Sequence, residues 1–356
     1  MKTVIIVGAG STLSDALSRP KRDRPPLDRG FFRACSKKKY GELKEIQKYL
    51  IKYYDIDPIS EEYDSLEKIM AIVYADINNP ILQDKSTDTF IKIIQLFNRR
   101  IAETTNSLNI TNRSNLYRII AKKLQDNVHP DDLSIVTFNQ DIHIEKTLEK
   151  LQKTRKYSAY GDIFSFPGCY RISDAHSRLT RPPQKEKIFT VSRSKDKGIA
   201  VFKLHGSLNW FSIHELHDVP KNAILGRNKK FKITPRKNIS VEMTYKAQSK
   251  RMYTFPLIIP PVNHKASIIH DDLLPIWKLA EKKLTNANEI IVFGYSCPPT
   301  DFESANMLRR VTNNGVNPQS FVVIDPSPST FQRYIELTCL DHLSFFRDCN
   351  AYIKKG

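Results

Sequence analysis

Cysteine is scarce in this chain. The five that occur, Cys35, Cys169, Cys297, Cys339 and Cys349, are odd in number, far apart, and never form a C-x-x-C pair. Neither a disulfide framework nor a zinc ribbon is indicated, and a reducing cytoplasm fits best. Long apolar runs are missing too. The opening MKTVIIVGAG has one lysine and a short apolar stretch, without the length or cleavage site of a signal peptide and too short to cross a bilayer. A soluble protein with no membrane partner is expected. There is no internal repeat, no low-complexity tract and no RNA- or DNA-binding motif.

Acidic residues are outnumbered: 38 Asp and Glu against 56 Lys and Arg leave a net charge of +18. The excess concentrates in two stretches, Arg19 to Lys39 with nine Lys or Arg and Lys221 to Arg251 with ten. Such charge draws polyanions, so a nucleic-acid or phosphate-ligand surface is one reading and solvated basic loops are the other.

A chain of 356 residues suffices for one large α/β domain with an elaborated second lobe, or for two domains. Short β-branched runs recur at Thr3 to Val7, Leu133 to Phe138, Ala200 to Leu204, Glu289 to Phe293 and Phe321 to Ile324. Their near-continuous hydrophobicity predicts strands of a parallel sheet covered on both faces. Between the first two lies a helical region over 41–126. Its apolar residues fall at helical spacing in three groups: Leu43, Ile46, Leu50 and Tyr53; Leu66, Ile69, Met70, Val73 and Ile77; and Phe90, Ile93, Ile94, Phe97 and Ile101. A lobe inserted into the sheet domain is expected there. A second, basic insertion over 212–256 reads as a β-rich flap or a loop, and Tyr157 to Arg193 as irregular structure.

The chemistry-bearing residues follow the strand ends, where ligands of open α/β sheets sit. The first run ends in Gly8-Ala9-Gly10-Ser11-Thr12. Glycines there permit a tight turn and close approach of a pyrophosphate to backbone N–H groups. Leu13 replaces the third glycine of the dinucleotide fingerprint, so a plain strand-to-helix turn is the alternative. Thr137-Phe138-Asn139-Gln140-Asp141 places an amide and a carboxylate two residues apart, able to bind a polar ligand or to cap the helix expected from about His143. In Lys203-Leu204-His205-Gly206, a histidine that titrates near neutral pH is suited to general base work or to a structural role, and Gly206 admits a ligand near the backbone. Gly294 and Ser296 begin Gly294-Tyr295-Ser296-Cys297-Pro298-Pro299-Thr300-Asp301, where Thr300 and Glu303 have capping-box spacing and a helix is expected from Asp301. Asp325, at the last strand end, is placed either to accept hydrogen bonds from two ribose hydroxyls or to start a turn before Pro326.

Taken in order, G-A-G-x-T, T-x-N-x-D, H-G, G-x-S and a terminal acidic strand end resemble the sirtuin family, and more closely its bacterial sirtuin-like NAD-consuming branch. Thr12 stands where the family has serine, Phe138 where it has glutamine and Tyr295 where it has threonine. The phrase G-Y-S-x-P-P-T-D and the preceding Ile259-Pro260-Pro261 are similar to the branch rather than to the deacetylases. The matching blocks run from residue 3 to about 328 and leave both insertions unmatched. Three departures stand out: no zinc ribbon follows the histidine, Arg24 to Phe32 cannot be aligned with the family's serine-glycine-isoleucine-proline-aspartate-phenylalanine-arginine segment, and nothing around Ile213 to Lys265 resembles an acyl-lysine groove.

The resemblance implies an α/β, Rossmann-like NAD-binding domain over 1–40 and 127–356, with helices on both faces of a mostly parallel sheet. NAD enters as substrate and no zinc is expected. Asp141 would hold the nicotinamide carboxamide, Asn139 would position ribose or the attacking water, and His205 would withdraw a proton. Gly8, Ala9, Gly10, Ser11, Thr12, Gly206, Gly294, Ser296 and Asp325 would line the dinucleotide. A chain that keeps the NAD site without the peptide site is expected to hydrolyse NAD to nicotinamide and ADP-ribose. The branch further implies antiphage defence by NAD depletion, homo-oligomers, and in some members a HerA-type ATPase partner. The alternatives are an NAD-dependent protein deacylase and a non-catalytic nucleotide- or nucleic-acid-binding module.

Overall fold

The computed structural model describes residues 1–63, 65–154, 156–157, 163–166, 168–170, 198–215, 234–235, 238–239, 244–247, 250–259, 273–313 and 318–355. Six strands form one fully parallel sheet: β1 (Thr3–Val7), β2 (Leu133–Thr137), β3 (Ala200–Lys203), β8 (Glu289–Phe293), β9 (Ser320–Ile324) and β10 (Leu343–Phe346). Their lateral order is β10-β9-β8-β1-β2-β3, which in chain order is the 3-2-1-4-5-6 arrangement of a doubly wound Rossmann-like fold. The four central strands are almost wholly buried, which is why they read as continuous apolar runs. Five strands agree with expectation to within a residue. The sixth, Leu343–Phe346, is half-buried along its whole length at the sheet edge and carries no such run.

Two hydrophobic cores form. One joins both faces of the sheet to α6 (Asn115–Gln125), α7 (His143–Gln152), α8 (Leu274–Thr285) and α9 (Phe302–Asn313). The other is built by α2 (Phe31–Ser36), α3 (Gly41–Tyr54), α4 (Leu66–Ala75) and α5 (Gln83–Thr105), the expected lobe. The lobe is shifted along the chain relative to 41–126. Phe31, Phe32 and Cys35 pack into it, whereas Leu116, Ile119, Ile120 and Leu124 of α6 pack against the sheet. The apolar stripe of α6 is a good amphipathic face, and periodicity does not say which neighbour covers it.

The second insertion takes the β-rich form. Strands β4 (Gly206–Glu215), β5 (Thr234–Pro235), β6 (Thr244–Ala247) and β7 (Lys250–Ile258) make an antiparallel sheet in the order β5-β4-β7-β6. Most of the remaining basic stretch, most of Tyr157 to Arg193, and Pro260-Pro261 lie outside the described residues. Among those described, no helix is long and apolar enough to cross a membrane.

Candidate active site at the carboxyl edge of the sheet

Strand order reverses between β1 and β8, and the turns that leave these strands pack directly on each other. Gly8 N–H donates to Phe293 O at 3.0 Å, and Gly10 N–H to Gly294 O at 2.9 Å. A Cβ on Gly8 would stand 2.3 Å from Gly294 O, and one on Gly294, whose φ is +63°, 2.3 Å from Ser11 N. The close approach expected between these glycines and a ligand is therefore, in the structure, an approach of one turn to the other. Ser11 is turned inward as well, its hydroxyl donating to Gly8 O at 2.8 Å.

Beside this point the polar residues of the β1 and β2 turns converge. Thr12 Oγ1 donates to Asp141 Oδ2 at 2.8 Å and receives Asn139 Nδ2 at 3.4 Å. Thr137 closes the group from below: its hydroxyl donates to Val7 O and accepts from Asn139 N–H. Asp141 Oδ1 accepts from His143 N–H at 3.0 Å, so the helix-start role is realised together with the contact to Thr12. The start of α7 is pinned from the other side, where His143 Nε2 and Asp15 Oδ2 lie 2.8 Å apart with both side chains buried.

Lys203 braces the same group from behind. Fully buried, its ammonium lies 2.8 Å from Glu145 Oε1 and donates to Ser207 Oγ and to the Asp141 carbonyl. Tyr170 OH donates to Glu145 Oε1 at 2.6 Å. A buried cation is tolerable only with such a set of partners. The sign of it in the sequence is the lysine inside the otherwise apolar Val201-Phe202-Lys203-Leu204.

Ala9, Thr12, Asn139, Gln140 and Asp141 line one side of a cavity of about 150 Å³. Its opposite wall is Pro25 to Asp28 with Phe31, Leu66, Glu67, Phe97 and Ile101 of the helical lobe. The segment Arg24 to Phe32 thus supplies the wall facing the strand ends. Asp28 fastens it to α4, accepting from Glu67 N–H at 2.8 Å and Ser65 Oγ at 2.9 Å. Arg100 Nη2 holds the Arg22 and Arg24 carbonyls.

His205 follows β3 at the same sheet edge, where Leu204 N–H donates to Thr137 O at 2.9 Å. Its imidazole does not line the cavity. It packs against Phe138, with ring centroids 5.2 Å apart, and near Trp277 at 6.2 Å. Phe138 in turn stacks on Tyr295 at 4.2 Å. His205 is 6% exposed, and Nε2 has no hydrogen-bond partner among the described residues. Asp301 Oδ1 is 3.5 Å from that nitrogen, while Asp301 Oδ2 accepts from Tyr295 OH at 2.6 Å. Burial first, and the Asp301 charge next, hold the Tyr295 phenol well above its ordinary value, so it stays a donor. Burial likewise pushes the Cys297 thiol up to about 12, so it stays protonated at neutral pH.

The remaining expected residues serve the backbone. Gly206, at φ +72°, turns the chain from β3 into β4. Ser296 is exposed, and its carbonyl accepts from Arg333 Nη1 at 3.1 Å. Asp325 starts a turn, accepting from Ser327 N–H at 2.9 Å. Thr300 does not cap the next helix: its hydroxyl donates to Glu67 Oε2 across to the lobe, and the Asp301 carbonyl accepts the first helical bond, from Ala305. Asp301 is the residue that sequence reasoning passed over, having assigned it to the start of a helix. Among the described residues no group of three His, Cys, Asp or Glu is placed to hold a metal ion.

The chain was compared with models of protein families and with curated proteins: no family model and no curated protein matches it.

Proposed function

We propose that this protein binds NAD at the carboxyl edge of the sheet, next to the point where strand order reverses, and hydrolyses its nicotinamide–ribose bond. One water is consumed, and nicotinamide, ADP-ribose and a proton leave. The observation that carries this reading is the meeting of Ala9, Thr12, Asn139 and Asp141 around one cavity, with a buried imidazole nitrogen that has no hydrogen bond and faces Asp301 one strand away. That meeting requires residues 127 and 129 positions apart to touch.

In this reading Thr12 holds Asn139 and Asp141 in one orientation, Asp141 receives the carboxamide, and Asn139 positions ribose or water. His205 Nε2 takes the proton, and Asp301 orients the ring and stabilises its charged form. Dinucleotide clefts need more room than about 150 Å³; ligand sites run from about 300 to 1,000 Å³. The Pro25 to Asp28 wall therefore has to move aside for NAD to enter, which makes it a gate between the sheet and the lobe.

Chromatographic measurement of nicotinamide release from NAD by the purified chain is the test. His205→Ala and Asn139→Ala are each expected to lower it by about 10²- to 10⁴-fold without loss of the folded state. Variants as active as the parent would remove both residues from the mechanism. Release that depends strictly on an acetyl-lysine peptide would assign a deacylase instead. The resemblance to the antiphage branch adds a setting, NAD depletion during infection, by a homo-oligomer or with a HerA-type ATPase. Unchanged NAD and phage titre on expression during phage challenge would exclude that setting.

A further inference from the structure

A second depression, of about 830 Å³, lies along α6, α7, the turn that follows α7 and the C-terminal helix, and shares no residue with the cavity above. Its charge is one-sided. Arg118 and Lys122 stand four residues apart on α6, and so on one face of that helix; Lys150 comes from α7 and Lys156 from the turn beyond it. Asp126 is the only acid among the described lining residues, and Lys122 and Lys123 hold it at 3.7 and 3.6 Å. Lys150 and Lys156 are exposed and make no ion pair among the described residues.

Among the described residues, none from the basic stretches 19–39 and 221–251 lines this groove. Its two tyrosines offer no ring face to a base. Tyr117 and Tyr157 are buried, Tyr117 OH pairs with Thr154 Oγ1 at 3.2 Å, and Tyr157 OH accepts from Gln125 Nε2 at 3.1 Å. Cations drawn from three separate elements suit a row of phosphates better than a single one. A chain with a net charge of +18 also attracts a polyanion far more strongly than a small anion. We infer that this groove binds the sugar-phosphate backbone of a nucleic acid, recognising charge and not base sequence.

Fluorescence anisotropy of a labelled oligonucleotide, single-stranded and duplex, titrated with the full chain between about 50 and 200 mM salt tests this. Binding should weaken steeply with salt. The double charge reversal Lys122→Glu and Lys150→Glu should cost at least about tenfold in affinity and flatten the logarithmic salt slope by about two. The same charge change at the exposed Lys37 and Lys39 serves as control and should cost much less. Equal weakening by both pairs would mean that bulk charge and not the groove binds. Absence of binding by the parent, or competition by inorganic phosphate or a mononucleotide at the oligonucleotide's own concentration, would also overturn the inference. If the double variant unfolds, Lys150→Gln alone, at an exposed site, should still lower the slope by about one. None of these readings depends on NAD turnover.

Discussion

Two nests of polar side chains lie along one sheet edge and are built on opposite plans. Around Asp141, Thr12, Asn139, Lys203, Glu145 and Ser207 bond to one another or to backbone, and the group reaches three strands and two helices. Around His205 the walls are aromatic, and the ring nitrogen that faces Asp301 has no hydrogen bond. The first plan fixes positions. The second leaves an imidazole nitrogen buried among rings, with one carboxylate oxygen at 3.5 Å. A cross-bonded polar scaffold and a ring held among rings place different demands on their surroundings, and the molecule meets them with different neighbours.

Breaking the first nest should cost the most stability. Lys203→Met leaves the buried Glu145 carboxylate without its ammonium, and a loss of about 3–5 kcal/mol is expected in denaturant unfolding. His205→Phe, by contrast, keeps a ring among rings and removes an unsatisfied nitrogen. Its stability should differ by less than about 1 kcal/mol, while the proposed nicotinamide release should be lost. Equal destabilisation by the two changes would erase the distinction between the nests.

The proposed gate sharpens the same comparison from the far side of the cavity. Asp28→Ala removes two exposed hydrogen bonds that hold the cavity wall to α4. If the wall must open, a loosening of about 1 kcal/mol raises the open fraction, and apparent NAD affinity, by up to about fivefold. An unchanged or weaker affinity would show that the wall is not a gate.

The smallest effect concerns the buried and the exposed thiols. Cys339 is exposed and the other four cysteines are buried, so one thiol should react rapidly with a thiol reagent in native protein near neutral pH. All five should react after denaturation. Cys297 has a folded value pushed up to about 12 from 9.0. Because that value is raised, its contribution to stability is complete below about pH 9 and declines as pH climbs toward 12, where only the unfolded thiolate forms freely. Fast labelling of Cys297 in native protein would contradict its burial beside Tyr295 and Asp301.

Much of this was legible beforehand, and the reasons differ by element. Thr3–Val7 and Glu289–Phe293 appear in the sequence to the residue because both faces of each strand are covered, so every side chain after the opening Thr3 and Glu289, which bond to each other, is apolar. Leu343–Phe346 was missed because half-coverage at an edge imposes no such run. Asn139 and Asp141 were recognisable as a strand-end pair, and His205 as a histidine beside glycine. Lys203 and Asp301 were not, since a charge inside an apolar run and an acid before a helix have common structural explanations.

What the sequence determined alone is local: strand and helix identity, set by the period of apolar residues, and the polar residues that follow each strand. Only the tertiary structure decided the partners. It set Thr12 against Asp141 across 129 positions, the Arg24 to Phe32 segment against the strand ends, and Asp301 rather than Asn139 against the His205 ring. The physical reason is that side-chain periodicity is enforced within one or two turns of chain. A contact between distant segments is chosen by how whole layers pack, and no short stretch of residues carries that information.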